Sequence, residues 1–204
     1  MPQRARCATC RNSSESKPLQ RVAFLLFLLV AVPAAAAEIT KTQDPSSGLY
    51  SWKAVDRGFS LELIQLPPDF IRAVYAARDL PPVMIEEVAS YCAFGTVARN
   101  ETDFPLSYRV ADWRVVLPDG SKKRLRTKRE WLAVWKKMGV DFGFSILPDT
   151  MTFEVGDWAQ GFTTAKLPRG SRFDLVYSWK QHGKTFKGRL ANLVCTTDAP
   201  PAAP

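Results

Sequence analysis

Phe173-Asp-Leu-Val-Tyr-Ser-Trp179 sets four apolar side chains at alternate positions, and Gln181-His182-Gly183 follows almost at once. Alternate residues of a strand share one face, so Phe173, Leu175, Tyr177 and Trp179 form an apolar face. A short polar, glycine-ended segment after such a run reads as a hairpin turn, with Lys184 to Val194 as the returning strand and Cys195 at its end. This pair predicts a chain built around an antiparallel sheet.

The same pattern extends upstream. Phe59 to Leu66, Cys92 to Arg99, Leu106 to Val110 and Trp113 to Leu117 read as strands. Phe142 to Ile146, Met151 to Val155 and Phe162 to Lys166 are further candidates. Asn100 to Asp103 and Pro118-Asp119-Gly120 read as turns; in the second, Pro presets φ and Gly accepts the left-handed conformation. Short strands with turns about every 8–12 residues predict a mainly β chain, an antiparallel β-sandwich of the immunoglobulin-like kind.

Two helices, near residues 68–79 and 128–138, interrupt that layout. The first opens on Pro67-Pro68-Asp69, carries Phe70, Ile71, Val74 and Ala77 on one face, and stops at Leu80-Pro81-Pro82. A further helical turn is expected from Val83 to Ala89. The other helix has a capping box in Thr127 and Glu130, an apolar stripe in Trp131, Val134, Trp135 and Met138, and a left-handed stop at Gly139.

The N-terminus reads as an export leader. Arg4, Arg6, Arg11, Lys17 and Arg21 precede the apolar run Val22–Ala31, and Pro33 and four alanines follow. From Val22 to Ala37 the run would span only ~24 Å as a helix, short of a ~30 Å hydrocarbon core, which favours cleavage over anchoring. Cys7 and Cys10 fall within this leader and read as incidental. The expected organisation is a cleaved leader over 1–37, a flexible segment over 38–48, a β-rich domain over 49–195 and a disordered tail over 196–204. The leader holds five of the 28 Lys and Arg and one of the 20 acids, so a net charge of +4 remains after it. The expected compartment is periplasmic or secreted, where nucleic acid is not the partner and Cys92 with Cys195 would form one disulfide.

Catalytic constellations are thin. The lone histidine of the chain, His182, sits at a hairpin tip, poorly held for general-base work. Met84, Met138 and Met151 are scattered, so no metal or cofactor is expected. Glu154 and Asp157, with Asp112, are the carboxylates that a glycosidase would have to gather. Asn100-Glu101-Thr102 matches a glycosylation acceptor, relevant only to a eukaryotic export route.

Two features point to binding instead. Trp158 and Asp157 lie in a stretch bracketed by Gly156 and Gly161, which reads as a loop offering an exposed indole. Lys122, Lys123, Arg124 and Arg126 belong to a basic run that continues to Lys128 and Arg129, where a helix start is positive and disfavours cations. The expected function is that of an exported accessory or assembly factor of the cell envelope. It would act by binding an envelope protein, a glycan or an anionic membrane surface, without catalytic chemistry of its own. A carbohydrate-binding module and a hydrolase of envelope polymers are the alternatives.

Overall fold

The computed structural model describes residues 37–141, 143 and 145–197. Residues 1–36 of the expected leader therefore lie outside the described residues, as do 198–204 of the expected tail. The chain is mainly β, with antiparallel sheets.

Sheet A has the order β1 (Glu38–Gln43), β2 (Tyr50–Asp56), β3 (Phe59–Leu66), β4 (Cys92–Asn100) and β9 (Trp158–Ala165). Sheet B is built on β10 (Arg172–Gln181), which pairs along its length with β11 (Lys184–Val194). On its other side β10 meets two short strands, β5 (Leu106–Arg109) and β6 (Arg114–Val116), which carry β8 (Thr150–Phe153) and β7 (Lys122–Arg124) on their outer edges.

The opening hairpin forms as read. Gln181 pairs with Lys184, and His182 and Gly183 both take positive φ, +49° and +71°, as a right-twisted two-residue hairpin requires. Arg57 and Gly58 close β2 onto β3 in the same way. Phe173, Leu175, Tyr177 and Trp179 are all buried. They join Trp52, Phe59, Leu61, Phe94 and Val115 in one cluster to which both sheets contribute.

The three helices build a second cluster on the other face of sheet A. Those helices are α1 (Pro68–Ala76), α2 (Pro82–Ala89) and α3 (Lys128–Lys137), so the short turn after Val83 is a full element. Ile71, Tyr75, Met84, Val88, Trp131 and Trp135 pack there against Ala93. The α3 stripe is shorter than expected: Met138 is exposed because the helix ends before it. Gly139, at φ +74°, is the predicted left-handed stop.

Two expectations are corrected. Glu38–Gln43 is strand β1, paired with β2 at all six positions, where a flexible segment 38–48 was expected. Its side chains are exposed throughout, so no apolar alternation marks it. Trp158 is the first residue of β9, within a continuous ladder to β4. Of the expected strand 142–146, Phe142 and Phe144 lie outside the described residues, and Ile146 makes a single parallel bridge to Phe162.

Cys92 and Cys195 stand at disulfide distance, with Cα atoms 5.3 Å apart. Their bond ties the start of β4 to the end of β11. Gln65 reinforces this junction, accepting from Tyr50 N at 2.8 Å and donating to the Val194 carbonyl at 2.7 Å. A bridge across about 100 residues contributes up to about 4.7 kcal/mol in the chain-entropy view. Cys92→Ser with Cys195→Ser should therefore lower unfolding stability by about 2–5 kcal/mol in chemical denaturation. An unchanged midpoint would show that the bridge does not hold the two sheets.

The first turn of α3 makes a pH prediction. Thr127 accepts from Glu130 N, and the Glu130 carboxylate accepts from Thr127 N at 2.8 Å. That backbone donor holds the Glu130 carboxyl below its ordinary value. A depressed carboxyl contributes stability above its unfolded pKa, about 4.3, and the contribution is lost as pH falls through the folded value. Glu130→Gln keeps the capping geometry and removes the titration. Its stability should approach that of the natural chain as the solution is acidified, and a constant difference would contradict the assignment.

Candidate functional site

The basic run Lys122–Arg129 divides into residues that hold the fold and residues that face water. Arg126 belongs to the first group. It forms an ion pair with Glu87 of α2 at 2.6 Å, donates to the Tyr91 hydroxyl at 2.8 Å, and lies 3.8 Å from the Trp131 ring centroid. Its side chain is only 17% exposed, so Arg126 pins α2 to the start of α3.

Lys128 and Arg129 meet the dipole conflict noted in the sequence, and Asp149 resolves it. The Asp149 carboxylate accepts from Lys128 N and Arg129 N, the second at 3.0 Å. With Thr127 receiving Glu130 N, the first three donors of α3 are all satisfied. The carboxylate also places a negative charge at the positive helix end.

Lys122 and Arg124 remain, on the exposed edge strand β7. Pairing alternation sends them to one side of sheet B and Lys123 to the other: Lys122 lies opposite Val116, Arg124 opposite Arg114, and Lys123 opposite the buried Val115. Arg114 lies opposite Val176, and Val176 opposite Arg189. One cross-strand row on the outer face thus reads Arg189–Val176–Arg114–Arg124. The next positions of β10 add Ser178 opposite Lys187, and Lys180 between Thr185 and Ser107. Two acids facing this way are each held by an arginine, Asp112 by Arg109 at 2.8 Å and Asp174 by Arg189.

This face contains a shallow cavity of about 280 Å³. Its cause is a break in the strand opposite β10. The 3-10 turn Val110–Asp112 separates β5 from β6, so that strand leaves β10 beside Ser178. The Ser178 carbonyl is then taken by the Trp113 indole N–H at 3.1 Å. Ser107, Thr150, Thr152, Ser178 and Thr185 offer hydroxyls to the cavity, and Lys180 and the Arg109–Asp112 pair lie at its rim.

Trp158 belongs to a different surface. It is 48% exposed and sits on the outer face of sheet A, opposite Arg99, whose guanidinium lies 5.3 Å from the indole. Asp157 serves its own turn: its carboxylate accepts from Glu154 N at 2.9 Å and its carbonyl from Asn100 N. The two expected contact regions, the basic segment and Trp158, therefore lie on different sheets.

Near Trp158, a groove of about 290 Å³ crosses Ile64, Gly95, Val97 and Phe162, where the helices leave sheet A uncovered. Gly161 borders it for a steric reason, since a Cβ there would come within 2.3 Å of the Leu147 backbone nitrogen.

The carboxylates of the hydrolase alternative are dispersed. Asp112 lines the sheet B cavity, which neither Glu154 nor Asp157 lines. Among the described residues, no three His, Cys, Asp or Glu side chains are grouped to hold a metal. His182 contacts the Phe104 ring at 4.5 Å at the hairpin tip. Asn100 is buried, and its amide nitrogen donates to the Phe104 and Glu154 carbonyls, so the acceptor pattern there serves to pin two loops. Burial pushes the phenols of Tyr108 and Tyr177 above their ordinary values, with Asp149 and Asp56 adding to this respectively. Both hydroxyls stay protonated and act as packing groups.

Among the described residues, no helix is long and apolar enough to cross a membrane. In comparisons with known proteins, the chain matches no family, no curated protein and no solved structure.

Proposed function

We propose that this chain is an exported cell-envelope protein that works by binding, and that the outer face of sheet B is its contact surface for an anionic partner. On this reading the two antiparallel sheets form a β-sandwich of immunoglobulin-like kind, with the helices covering the far side of sheet A. Export rests on the leader pattern and on two cysteines placed at disulfide distance.

One observation carries the surface assignment: Arg124 is set directly opposite Arg114, with Lys122 beside it. Like charges directly opposite each other destabilise a strand pair. Arg114 is partly accommodated by the Ala111 and Trp113 carbonyls, both at 2.7 Å, and Arg124 by Glu130 at 3.4 Å. These contacts lie at an exposed sheet edge, where uncharged β-compatible side chains would also serve the fold. A surface that attracts anions calls for them directly.

Lys122→Thr with Arg124→Thr should lower retention on an immobilised anionic polymer such as heparin, while stability changes by no more than about 0.5 kcal/mol. Lys123→Thr removes the same charge from the same strand but from the opposite side, and should leave retention near that of the natural chain. Equal loss from both variants would show general charge attraction and remove the face assignment.

A further inference from the structure

We infer that the cavity on sheet B is a subsite for one acidic sugar residue of an anionic polysaccharide. This rests on the reading of that face as the contact surface and gives the ligand its chemical class.

The cavity's lining separates a sugar from a bare anion. Thr185, Lys180, Ser107 and Thr152 follow one another across four strands, each opposite the next. This row presents three hydroxyls and one ammonium on a rigid sheet. Arg109 and Thr150 lie opposite each other on the adjacent row. Arg109 is held in a fork by Asp112, with contacts of 2.9 and 2.8 Å. That pair offers guanidinium donors beside carboxylate acceptors. A sugar ring displays hydroxyls that both donate and accept, and it matches such a mixed set. A phosphate accepts only, and would leave Asp112 facing its charge.

Lys180 supplies a positive charge for a ring carboxylate or sulfate. The cavity of about 280 Å³ falls just below the range of drug-sized ligand clefts, which starts near 300 Å³. It therefore suits one residue of a chain whose further anions lie over Arg114, Arg124 and Lys122.

The same face is poorly suited to lipid. The large apolar side chains that are most exposed, among them Phe70, Val83, Phe104, Val155 and Trp158, belong to helices, loops or sheet A. The face thus lacks the apolar anchor of an interfacial binder.

The test uses protein purified after export, titrated calorimetrically against four ligands: polygalacturonate, neutral galactan, linear polyphosphate and phosphatidylglycerol vesicles. The expected order puts polygalacturonate first, with polyphosphate and vesicles at least about tenfold weaker and galactan without measurable binding. Thr152→Val removes a hydroxyl without altering charge, on an exposed edge strand that tolerates valine. Combined with Lys180→Gln it should weaken polygalacturonate about tenfold, as expected for the loss of two hydrogen bonds. Thr152→Val alone should leave polyphosphate unaffected. If polyphosphate binds as tightly as polygalacturonate and Thr152→Val changes neither, the sugar subsite is wrong while the basic contact face stands. Preference for vesicles would assign the face to lipid and overturn the subsite. Failure to bind any of the anions would overturn both readings.

Discussion

Asp149 joins the fork in sheet B to the start of α3. Its carbonyl accepts from Val110 N at 2.8 Å, fixing the 3-10 turn that splits the strand beside β10. Its carboxylate takes the first two donors of α3. A single residue ahead of β8 thus sets where sheet B forks and where the tryptophan-bearing helix begins. The fork leaves Ser178 paired with β11 alone, opens the cavity, and turns Trp113 inward to close the carbonyl it exposes. The helix start in turn directs Trp131 onto sheet A, where its indole donates to Thr164 at 2.9 Å.

Local patterns in the sequence carried the elements whose causes are local. The β10–β11 hairpin needed only alternation and a glycine turn. The start of α3 needed only Thr127 and Glu130, three positions apart. β2 was missed because its inward positions after Trp52 are Ala54 and Asp56, which show little contrast with the residues between them. Trp158 was misplaced because Gly161 read as loop punctuation. Its true role is close approach, with the Leu147 backbone passing where a side chain would stand.

The basic run shows a different limit. Six of eight consecutive residues are basic, yet Arg126 is largely covered by Glu87, Tyr91 and Trp131, while Lys122 and Arg124 face water. Composition alone does not separate them; the pairing partner of each residue does. The cationic face itself was invisible in one dimension. It is assembled from β5, β6, β7, β10 and β11, whose outward residues span 107 to 189. β5 and β6 show one arginine each, β10 two basic residues and β11 three among hydroxyl and apolar neighbours, and only the short β7 is basic throughout, so no single strand displays the face.

The two outer faces of the sheets differ in what folding asks of them. Part of sheet A's outer face is apolar and is covered by the helices, so its residues are dictated by packing. Sheet B's outer face stays wet, as an antiparallel sheet allows. Folding there requires only β-compatible side chains, and serine and threonine with scattered charge of both signs would meet that need. Arg114 set against Arg124 is a like-charge cross-strand pair, and the cavity lined by Lys180 is open at the surface. Cations whose internal contacts lie at the surface, concentrated on a face that folding leaves open, are accounted for by a ligand that uses them. An extended acidic polymer fits this geometry better than a globular partner, because the cations follow cross-strand rows on a continuous sheet and leave no exposed large apolar side chain at their centre.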